Sequence, residues 1–90
     1  MPSQVINLKD TIEINGVEET SVKVRMPRFG DYRKLADKFE GVIDWRDYRV
    51  AGEFMAINTG LPISSIDSLS KRDADAIEKA IDDFLEGSGT

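Results

Sequence analysis

Neither cysteine nor histidine occurs in the 90 residues. Their absence removes disulfides, thiolate nucleophiles, imidazole acid–base catalysis and the usual zinc ligand sets. No apolar run approaches the ~20 residues of a membrane span. Met1-Pro2-Ser3-Gln4 carries no basic segment ahead of an apolar stretch, so no signal peptide is expected. The expected location is the cytoplasm. Phosphate-binding loops, dinucleotide fingerprints and nucleophile elbows are also missing. Asp67, Asp73 and Asp75 lack the glycine and closing glutamate of a calcium loop. Asp82 and Asp83 are adjacent, so on a helix they point about 100° apart and do not make a catalytic pair. The chain is therefore expected to have no enzymatic activity, cofactor, metal or small-molecule substrate.

What is present fits one small domain, residues 1–86, whose core is modest at this length. The formal net charge is −5. It is unevenly distributed: residues 23–49 hold eight Lys/Arg against five Asp/Glu, and the flanks hold four against twelve. Overall acidity argues against a nucleic-acid partner, which needs a positive face. The basic middle, with Arg25, Arg28, Arg33 and Lys34, keeps a small nucleic-acid-binding regulator as a distant alternative.

Residues 4–26 alternate. Ile6, Leu8, Ile12, Ile14, Val22, Val24 and Met26 are all even-numbered, the period of half-buried strands. Asn15-Gly16 is a hairpin turn signal. A two-residue turn would place Ile12 opposite Glu19 and Leu8 opposite Lys23, mixing apolar and charged side chains on one face. The expectation is thus either an odd-length loop, pairing Leu8 with Val24 and Ile6 with Met26, or a β-bulge near Lys9-Asp10 that restores the parity.

Pro27 ends the second strand. Phe29, Tyr32, Leu35, Ala36 and Phe39 then fall at helical spacing over residues 28–40, with Asp31 in the first turn and Gly41 as the stop. A second helix is expected over 44–59, capped by Asp44 and ended by Gly60 and Pro62. Residues 63–69 read as a connection with about one helical turn. Ser70 to Asp73 reads as a capping box opening a third long helix over 71–86. Residues 87–90, Gly-Ser-Gly-Thr, are expected to be disordered. The predicted fold class is α+β: an N-terminal antiparallel β-hairpin or small sheet packed against three α-helices.

The apolar residues of the second helix cover more than one face. Trp45, Tyr48 and Met55 fall along one side, and Val50, Phe54, Ile57 and Leu61 along another. One side could be core and the other spare, and aromatic residues with methionine suit an interface. Trp45, Tyr48, Phe54 and Met55 are the candidate partner-binding residues.

The order of features also resembles a family. It comprises the Ile6-Asn7-Leu8 strand, the Asn15-Gly16 hairpin and Val24-Arg25-Met26-Pro27. Gly30-Asp31-Tyr32-Arg33 opens a helix, Thr59-Gly60-Leu61-Pro62 closes one, and Leu69-Ser70 with Asp73 opens a last helix ending Phe84-Leu85. Across nearly its whole length the chain resembles the small tail assembly chaperones of contractile-tailed phages and prophages, the tail protein E group. The strings Arg-x-Pro-x-x-Gly-Asp-x-Arg (Arg25 to Arg33) and Thr-Gly-Leu-Pro are its most specific parts. The resemblance implies no catalysis. It implies binding to the tape measure protein, a long helical chain kept soluble until the tail tube polymerises around it. A longer frameshifted version of the chaperone is a further implied partner, and self-association is compatible. A structural tail or baseplate component is the alternative. Asp44 to Arg49 is more charged than the pattern, and the matching residues look structural, so no binding residue is carried over.

Overall fold

A computed structural model describes residues 3–86. The order is β1 (Ser3–Ile14), β2 (Val17–Arg25), α1 (Phe29–Lys38), α2 (Tyr48–Thr59), α3 (Ile63–Asp67) and α4 (Lys71–Leu85). The fold is α+β, a two-stranded antiparallel sheet followed by helices. The anticipated tail, 87–90, lies outside the described residues. No described helix is long and apolar enough to cross a membrane.

The hairpin resolves the parity conflict by its second route. Its loop has two residues, Asn15 at φ 52° and Gly16 at φ 82°, the left-handed pair that a tight hairpin turn requires. Ile12 therefore does face Glu19. Between that pair and Asn7–Ser21, four residues of β1 stand against one of β2, an offset of three. This odd offset brings Ile6 opposite Val22 and Gln4 opposite Val24. The odd-length loop, with its Leu8–Val24 and Ile6–Met26 pairs, is not formed.

The irregular stretch includes Lys9-Asp10, whose amides are taken up by Asp73. Its Oδ1 and Oδ2 accept from the Lys9 amide at 2.9 and 3.0 Å, and Oδ2 accepts from the Asp10 amide at 3.1 Å. The Lys9 amide is the main reason the Asp73 carboxyl sits below its ordinary range, against a smaller opposing effect of burial. Ser70 caps α4 by accepting from the Asp73 amide at 3.2 Å, one half of the expected capping box. The other half gives way because the Asp73 carboxylate is taken by the Lys9 and Asp10 amides. The Asp73 side chain serves the sheet 64 residues away.

The core lies between the sheet and the helices. Ile12, Val22 and Val24 meet Leu35 of α1, Val50, Phe54 and Met55 of α2, Ile66 of α3, and Ile77, Ala80 and Ile81 of α4. The apolar face of each element covers that of another. α1 ends with Glu40 at φ 54° and the Gly41 amide donating to the Ala36 carbonyl at 2.7 Å. This is a Schellman closure whose left-handed position holds a glutamate.

α2 starts later than the sequence suggests. Asp47 is its cap, accepting from the Arg49 amide at 2.9 Å. Residues 44–47 form a turn in which the Asp47 amide donates to the Asp44 carbonyl at 3.0 Å. Asp44 accepts from the Arg46 amide instead of opening a helix. Two Asx-type caps three residues apart compete, and the second prevails. Gly60, at φ 74°, closes the helix.

Candidate functional site

The first of the two strings behind the family resemblance, Arg25 to Arg33, closes on itself at one corner, against the end of α2. Arg25 leaves the end of β2 and grips Asp31 in a two-pronged ion pair, Nη1 to Oδ2 and Nη2 to Oδ1, both 2.8 Å. Asp31 also accepts from the Arg28 amide at 2.8 Å, which closes the first turn of α1. Arg25 Nη2 reaches on to the Ile57 carbonyl at 3.2 Å, two residues before Thr59-Gly60-Leu61-Pro62. One guanidinium thus ties the strand, the start of α1 and the end of α2. The Arg25 bond holds the Asp31 carboxyl below its usual range. Beside the corner, Asn58 is fully buried. Its Nδ2 donates to the Phe54 carbonyl at 2.9 Å, and its Oδ1 has no partner among the described residues.

The basic middle of the chain is engaged in part. Besides Arg25, Lys38 pairs with Glu53, Arg46 with Asp44 and Arg49 with Asp47. Half of the eight cations between residues 23 and 49 are thereby matched by carboxylates.

The four candidate binding residues divide. Phe54 and Met55 are buried core residues. Trp45 sits on the turn before α2, 51% exposed, so helical spacing does not govern its direction. Its ring packs edge-on against Phe54 at 5.1 Å and against Tyr32 at 6.1 Å. Tyr48, 77% exposed, is the first residue of α2 and lies under the Lys71 ammonium, 5.9 Å from its ring centre.

Trp45, Phe54 and Met55 share an open groove of about 430 Å³ with Tyr32, Ala51, Glu78, Ile81, Asp82 and Leu85. Tyr48 is not part of it. The floor is Phe54, Met55 and Ile81, all buried. One wall is aromatic, Tyr32 and Trp45. The opposite wall is α4, with Glu78 and Asp82 one helical turn apart and Leu85, 52% exposed, at the end. Burial pushes the Tyr32 phenol above its ordinary range, helped by the Asp31 charge. Among the described residues, the charges lining the groove, Glu78 and Asp82, are both acidic, and the last turn of α4 carries no basic residue.

Tyr32, Glu78, Asp82 and Leu85 were not among the sequence candidates. Leu85 carried the available signal, because the apolar stripe of α4 runs past the point where the core ends. A second hollow, of about 520 Å³, lies at Met26, Pro27, Arg28, Phe29 and Gly30.

No family model, curated protein or solved structure matches the chain.

Proposed function

We propose that this chain is a tail assembly chaperone of a contractile-tailed phage or prophage. It works in the bacterial cytoplasm, holding the tape measure protein in solution until the tail tube forms around it. The observation that supports this reading is the corner that the first resemblance string builds against the end of α2, just ahead of the second string. Arg25, Asp31 and the backbone just before Thr59-Gly60-Leu61-Pro62 meet through hydrogen bonds of 2.8–3.2 Å.

The surface supports the same reading. A holding protein needs apolar surface that a client can cover, and enough charge to keep the complex dispersed. Trp45, Tyr48, Phe29 and Leu85 are exposed, and the net charge of −5 supplies the second requirement.

The test is co-expression with a tape measure protein from the same tail gene cluster. The client should move to the soluble fraction and co-purify with this chain. A client equally insoluble with and without the chain defeats the proposal. Mass spectrometry of finished particles is the second arm. A chaperone is scarce there, whereas a structural tail or baseplate component is stoichiometric.

A further inference from the structure

The geometry points to the groove between α2 and α4 as the docking site for an amphipathic helix that carries Lys or Arg beside its apolar face. This inference rests on the holding function proposed above and adds where the client is gripped and by what chemistry.

Charge and shape together select this occupant. The floor and one wall are apolar or aromatic, and the rim is acidic. Glu78 and Asp82 make no direct ion pair among the described residues, and only a longer-range attraction links Glu78 to the Lys71 ammonium, which is itself paired with Asp75. This contrasts with the same helix's Lys71–Asp75 and Lys79–Asp83 pairs. The C-terminal end of α4, beyond Asp82, adds the negative end of the helix dipole. An incoming cation therefore meets two carboxylates and a favourable dipole, while an incoming anion meets repulsion.

The spacing suits a helix. Glu78 and Asp82 are i and i+4, about 6 Å apart along α4. A helix lying alongside presents cations at the same interval. From Glu78 to Leu85 the wall runs about 10 Å, long enough for two turns of a partner. Pockets for small molecules have converging polar groups that fix orientation, and here the charged lining groups, Glu78 and Asp82, both stand on one wall. Apolar anchors from one helix face fit the floor, as in other helix-in-groove complexes.

Trp45 is the sole tryptophan in the chain and lines the groove, so its fluorescence reads occupancy directly. The probe is a Trp-free peptide of about 18 residues, long enough to be helical, with Leu at i, i+3 and i+7 and Lys one turn apart beside them. Its twin has Glu in place of Lys. The Lys peptide should shift Trp45 emission to the blue and bind at least tenfold more tightly than the Glu twin at low salt. The preference should weaken as salt rises. Asp82→Lys, at an exposed position, should lower affinity for the Lys peptide severalfold. The double variant Glu78→Lys with Asp82→Lys should reverse the preference. Equal affinity for the two peptides, or unchanged binding of the Lys peptide to both variants, overturns the inference.

The same variants separate this inference from the chaperone reading. If they still hold the tape measure protein as well as the parent chain does, the groove assignment falls and the proposed function stands. If the parent does not hold that client but binds the Lys peptide in the groove, the site stands and the proposed function falls.

Discussion

Replacing Arg25 by methionine should cost more stability than neutralising its partner Asp31. The reason is the unequal burial of the pair. The Asp31 side chain is 5% exposed and that of Arg25 is 34% exposed. With Arg25 gone, an almost fully buried carboxylate keeps the Arg28 amide as its hydrogen-bond donor, with the Lys34 charge a weaker support, and the Ile57 carbonyl loses its guanidinium donor. Breaking a fully buried pair costs about 3–5 kcal/mol. The open side of Arg25 lowers this toward the weaker values of exposed pairs, so about 3 kcal/mol is expected. Asp31→Asn leaves an acceptor oxygen and a cation that water can reach, and about 1–2 kcal/mol is expected. The double variant should lose about 3 kcal/mol, less than the sum, giving a coupling of about 1.5 kcal/mol. A 90-residue domain has roughly 5–13 kcal/mol of stability in all, so these changes are large. Urea unfolding followed by far-UV circular dichroism reads them. With a slope near ~1.5 kcal/mol per molar, Arg25→Met moves the midpoint down by about 2 M. A coupling below about 0.5 kcal/mol, or an Asp31→Asn loss exceeding that of Arg25→Met, refutes the account of the corner.

The acid limb of stability supplies a second expectation. Asp31 and Asp73 both have carboxyls lowered in the folded state. Their contributions are therefore complete above the unfolded aspartate value of about 3.9 and are lost as pH falls below it through the folded values. Unfolding free energy should drop from about pH 4 downward, and Asp73→Asn should make that limb shallower. In the same variant the Lys9 and Asp10 amides should exchange hydrogen faster, because their acceptor is weakened. Glu40→Gly should stabilise the chain by about 1 kcal/mol, since Glu40 occupies a left-handed conformation at the end of α1 that costs a side chain about 1–2 kcal/mol. Glu40→Ala, measured beside it by urea midpoint, should leave stability nearly unchanged.

Much of the architecture was legible because it is encoded locally. The even-numbered apolar residues of the first third set the hairpin, Asn15-Gly16 its turn, and the stripe from Ala74 to Leu85 the last helix. The parity conflict between Ile12 and Glu19 exposed the need for either an odd-length loop or a bulge, and the folded hairpin takes the bulge. The start of α2 was misplaced because Asp44 and Asp47 are both good caps, and a local rule does not choose between them. That error carried Trp45 onto a helix face it does not occupy and grouped it with Tyr48. Packing instead groups it with Tyr32 and Phe54.

By itself, the sequence determined the α+β class, the order of elements and the lack of cysteine and histidine chemistry. These depend on composition and on periods of two and 3.6 residues, which neighbouring positions reveal. Tertiary structure alone decided that Asp73 serves the bulge of β1, that Arg25 binds the Ile57 carbonyl, and that Glu78, Asp82 and Leu85 face Trp45 across a groove. These contacts join residues 32 to 64 positions apart or residues on separate elements. Their existence depends on how the helices lie on the sheet, and no local pattern of side chains carries that information.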